Sequence, residues 1–322
     1  MAEEVLPGIF RIELPLPRNP LRSINSYVLI GESGNLVVDT GMNRPECRDV
    51  LGPELDSLGI DLSETDVFVT HLHADHLGLA PFVSRGKTNV FMGKPDIDML
   101  AESDYWGKMH SFAVLNGFPD RDPQEAIKKH PGYKYGPLGK MNMNALTGGE
   151  KFDIGRYHFE VIPTPGHSHG HMCLYDSENR ILFSGDHILG DITPNISLWW
   201  EGEDHLTDYI GSLKKIRSLE VDLTLPGHRS VIRDHRKRID ELIRHHLDRA
   251  SEVLKILEDG DMNAFVIASR MSWDLTIRSF DDFPIMQKWF ATGEALAHIK
   301  FLENQKKVKR ISRNGEFEYQ LI

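Results

Sequence analysis

The apolar positions of this chain recur with two periods, which predict strands and helices that follow one another. A period of two, typical of strands, covers residues 8–13, 26–30, 35–39 and 66–69. The second and third of these segments predict a hairpin around residues 32–34. Residues 44–58 instead carry apolar side chains at helical spacing. Strands that alternate with helices are typical of an α/β layer architecture.

The alternation continues along the chain with one long interruption. Further strands are predicted at residues 89–92, 152–154, 158–162, 172–175 and 181–183, and a helix is predicted at 208–219. Between the first two strands, residues 94–144 are rich in aromatic residues, Met, Lys, Pro and Gly and predict a mostly helical insertion. Long insertions are often lids. Two interpretations stay open: a cap over a pocket, or a packing excursion with its own apolar cluster.

The pattern changes at about residue 235. A long charged helix begins there, helical spacing returns at residues 262–271 and 284–303, and Asn314-Gly315 separates two alternating runs. An Asn-Gly pair in that context is a strong hairpin signal. We therefore divide the chain into a domain at residues 1–234 and a winged-helix-like domain at 235–322.

Composition and charge are those of an ordinary soluble globular protein and limit its partners. The chain has 322 residues with a net charge of −11; residues 235–322 hold 15 basic and 14 acidic side chains, and the remainder carries −12. This surface disfavours nucleic acid as a partner. The acidic start and the lack of a long apolar run favour a cytoplasmic protein without a membrane segment. Cys47 and Cys173 show no metal-like spacing and are expected to be reduced and structural.

The richest chemistry lies in residues 70–76, which follow the apolar run at 67–69. This segment contains four adjacent metal-ligand candidates: His71, His73, Asp75 and His76. His71 and His73 differ by two positions, so their imidazoles can converge on one ion where the strand ends. Nitrogen and carboxylate ligands without thiolates suit zinc, and less selectively iron or manganese.

Three more candidate ligands follow strands later in the chain: His167, Asp186 and His228. We expect one ion on His71, His73 and His167, a second on Asp75, His76 and His228, and Asp186 as the bridge. Two such ions hold a shared hydroxide and polarise a carbonyl or phosphoryl oxygen. The pattern thus predicts hydrolysis with two metal ions, Zn²⁺ or else iron or manganese, and without a protein nucleophile.

These motifs resemble a known family. In chain order HLHADH, TPGH, GD and PGH are similar to the metallo-β-lactamase superfamily, with its αββα sandwich, over residues 8–234. ITPNIS at residues 192–197 and the tail sequence WFATGEALAH resemble the branch near glyoxalase II and lactamase-beta-like proteins that end in a winged helix. The resemblance implies a binuclear zinc hydrolase in which Asp75 also has a catalytic role, orienting the hydroxide, and Asp39 supports the ligand loop.

The remaining histidines divide into two groups. His169 and His187 are interpreted as local structural residues, whereas His171 is equally compatible with a role beside the site. The histidines of the insertion and tail are expected on the surface or in packing. The insertion aromatics, with Trp199 and Trp200, either line an apolar acyl pocket or pack the insertion against the core.

Several functions fit these motifs, and the leading one is hydrolysis of a small thioester, ester or lactone. The alternative is a nuclease or phosphodiesterase that holds nucleic acid on the basic tail residues Lys306, Lys307, Lys309 and Arg310. A third hypothesis makes the tail a nucleic-acid-binding or dimerisation module with the metal site as a sensor; a homodimer is left open. A β-lactamase of the antibiotic-resistance kind is disfavoured because the sequence shows no secretion signal and the second metal set keeps Asp75 rather than a cysteine. An iron oxygenase is disfavoured because His76 and His228 complete a second metal set.

Overall fold

The computed structural model describes residues 1–32, 34–119, 122–273 and 279–322, so turn residue 33 of the predicted hairpin lies outside it. Within these ranges two sheets dominate. The first runs in chain order through β1 (Glu3–Leu6), β2 (Ile9–Pro15), β3 (Ser23–Gly31), β4 (Gly34–Val38), β5 (Thr65–Phe68), β6 (Asn89–Gly93) and β7 (Asn142–Leu146). The second has the order β12 (Leu223–Pro226), β11 (Ile181–Gly185), β10 (Met172–Asp176), β9 (Tyr157–Pro163) and β8 (Lys151–Ile154).

An apolar core fills the space between the sheets. Tyr27 and Leu29 of β3 and Phe68 of β5 meet Phe159 and Phe183 of the second sheet there. The ring of Tyr27 lies edge-on to that of Phe183, with centroids 5.2 Å apart. Successive strand residues point to opposite faces, so neighbouring apolar residues supply a second core on the outer face of the first sheet.

Helices cover both outer faces. The first sheet is covered by α1 (Pro45–Ser57), α2 (Ala74–Leu77) and α3 (Ala80–Ser84), and the second by α8 (His205–Arg217) and α9 (His235–Leu257). In α1 the buried side chains Cys47, Leu51 and Leu55 recur at four-residue spacing, which places them on one helix face. The result is the mixed α/β layer fold that the alternation predicts.

The insertion is helical, as predicted, except at its end. It contains α4 (Lys94–Leu100), α5 (Tyr105–Leu115), α6 (Asp122–Lys129) and α7 (Pro131–Tyr135). Residues 142–144, which the sequence pattern places in the insertion, belong instead to β7, and β7 pairs in parallel with β6. Asn89, Asn142 and Asn144 are linked there by side-chain hydrogen bonds, and so polar a segment carries little strand signal.

The predicted helices and hairpin of the tail are present: α9, α10 (Ala264–Arg270), α11 (Ile285–Asn304), β13 (Val308–Arg313) and β14 (Glu316–Leu321). Asn314 and Gly315 both have positive φ, at 53° and 86°, as their type of hairpin turn requires. Trp289 of α11 stacks on Trp199 at 4.0 Å between ring centroids and meets Phe118 of the insertion. Tail and insertion therefore share one apolar cluster with the helices over the second sheet.

Both cysteines are buried and free. Burial raises the pKa of Cys47 to about 11 and that of Cys173 to about 12, so both remain thiols at neutral pH. Among the helices in the described ranges, none has the length and apolar character needed to cross a bilayer.

Candidate metal centre

The structure brings all seven predicted ligands to one edge of the sandwich. His71, His73 and His167 form the first group: Nδ1 of His73 lies 2.9 Å from His71 Nε2 and 3.0 Å from His167 Nε2. The ligand atoms of a tetrahedral zinc ion are about 3.3 Å apart, given metal–nitrogen bonds near 2.0 to 2.1 Å. These three nitrogens are therefore spaced closely enough to bind one ion.

A second group lies beside the first, with Asp186 between them. Asp75, His76 and His228 have ligand atoms within 4.8 Å of one another, and Asp75 Oδ2 is 3.5 Å from His228 Nε2. Asp186 reaches both groups, since Oδ1 lies 3.5 Å from His76 Nε2 and Oδ2 lies 3.6 Å from His167 Nε2. This placement fits the bridging position predicted for its carboxylate.

Hydrogen bonds fix which nitrogen of the His167 and His228 rings faces the cluster. Nδ1–H of His167 donates to Asn195 O at 2.9 Å, and Nδ1–H of His228 donates to Ser23 O at 2.6 Å. In a neutral imidazole the other nitrogen then carries a lone pair. Such partners are typical of metal-binding histidines.

Three buried atoms of the cluster have no hydrogen-bond partner in the described part of the chain: His76 Nε2, His228 Nε2 and Asp186 Oδ1. Unpaired buried polar atoms are costly, and a divalent cation would satisfy all three. Burial opposes a charge on His228, but Asp186 and Asp75 raise its pKa to about 10. The chain's own carboxylates thus make this a place that attracts a cation.

Asp39 supports the ligand loop from behind. Its Oδ1 accepts a hydrogen bond from the backbone N–H of Thr70 at 2.8 Å, and its Oδ2 accepts one from His76 Nδ1–H at 2.7 Å. Asp39 has φ of 58°, a left-handed conformation that is uncommon for residues other than glycine. The turn after β4 thereby directs its carboxylate toward the loop, where the family resemblance expects it.

Asp96 is a supporting residue that the sequence did not reveal. Its carboxylate is fully buried and accepts hydrogen bonds from Leu72 N–H at 2.8 Å, Ser168 Oγ–H at 2.8 Å and Gly170 N–H at 2.6 Å. Burial raises the pKa of Asp96 to about 6, while these bonds act in the opposite direction. One side chain of α4 thus connects the two loops that carry His71, His73 and His167.

His171, which the sequence left open, lies directly behind the cluster. Its Nε2 accepts a hydrogen bond from Asp186 N–H at 3.2 Å, and its ring stacks on that of His71 at 5.2 Å. His187 packs edge-on against Tyr209, as a structural residue would. His169 lies outside the seven-residue cluster, 3.3 Å from Glu203.

The tail helix α11 reaches the cluster through the loop that contains ITPNIS. Asn195, whose carbonyl holds His167, donates from Nδ2 to Glu294 Oε2 at 3.3 Å, and Arg249 Nε donates to Glu294 Oε1 at 3.4 Å. Gly293 lets the loop approach, because a Cβ there would lie 2.8 Å from Ser197 Oγ. The two sequence motifs of this branch are therefore in direct contact.

Glu294→Gln is expected to weaken metal binding by about tenfold, the lower end of the effect typical of a ligand's outer partners. Glutamine keeps the length of the side chain but has one acceptor oxygen, so either Asn195 or Arg249 loses its partner. The metal Kd is measured by competition with a chelator. Glu303→Gln, on the same helix beside Lys300, is the matched control. Equal Kd values for the two variants would refute the coupling.

Comparison with known proteins identifies the family of this chain. A model of the Metallo-beta-lactamase superfamily matches residues 19–228. An atrochrysone carboxyl ACP thioesterase of Aspergillus novofumigatus is 27% identical over 81% of this chain, which spans only 66% of that relative's length. A beta-lactamase-like protein 2 homolog of Caenorhabditis elegans is 27% identical over 98% of this chain and 88% of its own.

The similarity extends to a solved structure over nearly the whole chain. A crystal structure of a metallo-beta-lactamase family protein from Thermus thermophilus is 26% identical, covers 99% of this chain and 100% of its own, and gives a TM-score of 0.83. The tail and insertion are included in that superposition, and the family match over residues 19–228 includes all seven clustered side chains. The chain therefore belongs to the metallo-beta-lactamase superfamily.

Proposed function

We propose that this protein is a metal-dependent hydrolase that cleaves an acyl thioester, with lactones and simple esters as chemically related substrates. The observation that carries the proposal is the position of Asp186 between two ligand groups, with unpaired buried nitrogens facing it. The hydrolytic character of the superfamily and the thioesterase named among the relatives support the same choice. Water is added across the C–S bond and yields a carboxylic acid and a thiol.

Two divalent ions at this cluster, with zinc as the proposed metal, would lower the pKa of a water molecule and polarise the substrate carbonyl. His71, His73 and His167 would hold one ion, Asp75, His76 and His228 the other, and Asp186 would contact both. Burial alone raises the pKa of Asp75, but His228 and His76 lower it to about 2. Asp75 is thus a carboxylate at neutral pH and would orient the attacking water by accepting a hydrogen bond.

The insertion supports an apolar acyl group at this site. Its helix α7 packs against α2, which carries Asp75 and His76. Trp106 contacts His130 and Tyr133, with ring centroids 5.2 and 5.7 Å apart. Burial lowers the pKa of His130 to about 4, and Asp75 acts in the opposite direction. The tyrosines of α7, Tyr133 and Tyr135, therefore belong to a helix that packs against the one carrying Asp75 and His76.

One aromatic residue proposed for the pocket is better explained by packing. Trp199 is 6% exposed and stacks on Trp289, so it belongs to the core between tail and loop. Trp200 instead meets Tyr105 of the insertion at 5.1 Å between ring centroids. Among these residues, Tyr105, Trp106 and Trp200 are the ones we propose for the acyl wall.

The tail gives less support to the phosphodiesterase alternative. Arg310 forms an ion pair with Glu201 at 2.6 Å and covers the ring of Phe317, and Arg313 lies 3.2 Å from Asp261. Arginines engaged in this way offer fewer free donors to phosphates. The −12 charge of residues 1–234 acts in the same direction.

The test measures metal content and turnover on one purified sample. An acyl panel of thioesters and lactones is compared with bis(4-nitrophenyl) phosphate and single-stranded RNA, before and after removal of metal with a chelator. We expect thioester hydrolysis that disappears with the metal and returns on addition of Zn²⁺. Phosphodiester cleavage with a silent acyl panel would replace this proposal with the nuclease alternative.

A further inference from the structure

A second cluster of metal-ligand side chains lies next to the proposed centre but outside its seven residues. It consists of His169, Glu203 and His205, whose ligand atoms are within 4.8 Å of one another. Glu203 stands between the two rings: Oε2 is 2.6 Å from His205 Nε2 and Oε1 is 3.3 Å from His169 Nδ1. The ring centroids of the two histidines are 5.2 Å apart.

The hydrogen bonds of His205 require either a proton or a metal ion between its Nε2 atom and Glu203. Its Nδ1 lies 2.7 Å from Ser197 O, a carbonyl that only accepts, so Nδ1 carries the hydrogen. In the neutral ring Nε2 is then an acceptor, yet it faces the carboxylate oxygen of Glu203. At 2.6 Å a proton joins these two atoms, and a metal ion would take the place of that proton after the two atoms move apart to the spacing of about 3.3 Å that zinc ligands have.

Hydrogen bonds fix the backbone around His169 and around His205. The neighbours of His169 are fixed because Asp96 accepts hydrogen bonds from Ser168 Oγ–H and Gly170 N–H. His205 is the first residue of α8, whose N-cap Asp204 accepts a hydrogen bond from Thr207 N–H at 3.1 Å. The main change needed to bind an ion is a widening of the Glu203–His205 pair from its present 2.6 Å.

We propose that His169, Glu203 and His205 form a third metal site, selective for Zn²⁺ or a similar divalent transition ion. Two imidazoles and one carboxylate are a zinc ligand set that leaves a fourth position for water or an anionic ligand. The carbonyl of Ser197 orients His205 in the way that outer partners orient metal-binding histidines. The site uses none of the seven ligands of the main centre.

The experiment compares zinc stoichiometry in the full-length protein and in variants. Metal-free protein is titrated with ZnCl₂, bound zinc is counted by mass spectrometry after gel filtration, and crystals grown with zinc are searched for an anomalous peak. Glu203→Gln and His169→Ala are each expected to bind one equivalent less than the natural chain. Glu201→Gln, two residues away and paired with Arg310, is the matched control and should lose none.

The difference between variants tests this site independently of the main centre. If the main centre binds fewer than two ions, the zinc content of the natural chain and of every variant falls by the same amount. The difference of one equivalent between the natural chain and Glu203→Gln then remains. Equal zinc content in the natural chain and Glu203→Gln, with no anomalous peak between His169 and His205, would mean that a proton joins Glu203 to His205 and would overturn the proposal. Thermal melting identifies any variant that fails to fold.

Discussion

Replacing Asp75 with alanine is expected to abolish most turnover and to remove one of the two metal equivalents, while the protein stays folded. Losing an outer partner of a metal ligand typically costs roughly 10- to 100-fold, and Asp75 is a proposed direct ligand that also orients the water. We therefore expect a loss of more than about 100-fold in kcat/KM. Thermal melting is measured as well, because His228 and His76 attract the charge of Asp75 whereas Asp186 repels it.

The measurement combines turnover on the best thioester, metal content and thermal melting of one preparation. Asp56→Ala removes an exposed carboxylate from α1 and is the control for a change of net charge. Asp75→Asn separates charge from shape, and it should also lose the second metal because a neutral amide is a weak ligand. Full activity with two metal equivalents in Asp75→Ala would contradict the two-metal proposal.

The parts of the site that the sequence predicted share a local signature. Each proposed ligand comes directly after a strand, and strand ends at one edge of a sandwich meet in space. A single segment, residues 70–76, contains His71, His73, Asp75 and His76 and so identifies four of the ligands at once. The turns at His167 and His228 share a Pro-Gly-His pattern. The strands themselves followed from alternation because their side chains face two apolar cores.

The parts that escaped prediction depend on contacts between distant segments. Asp96 lies in a helix with Asp98 two residues away, and nothing local distinguishes the buried carboxylate from the exposed one. Its partners at residues 72, 168 and 170 are joined only by the folded chain. In the same way, both motifs at 192–197 and 289–298 were visible, but their contact through Asn195 and Glu294 was not.

Asp96→Asn is expected to weaken metal binding by roughly 10- to 100-fold and to lower the free energy of unfolding by about 2 to 4 kcal/mol. The carboxylate accepts from three donors with both oxygens, whereas asparagine has one acceptor oxygen and an NH₂ group. Whichever way the amide turns, a donor faces a donor, so Leu72 and Ser168 on one side or Gly170 on the other lose their acceptor. The loops that carry His71, His73 and His167 then separate.

Two measurements distinguish this effect from a general loss of stability. Chelator competition gives the metal Kd at a temperature where the variant is fully folded, and denaturant unfolding of the metal-free protein gives the stability change. Asp98→Asn, on the exposed side of the same helix beside Lys94, should change neither value. If Asp96→Asn lowers stability but binds metal as tightly as the natural chain, Asp96 only supports the fold. A higher metal Kd together with a lower free energy of unfolding instead shows that one buried carboxylate aligns the ligands of two loops, because metal binding requires those ligands at a fixed separation.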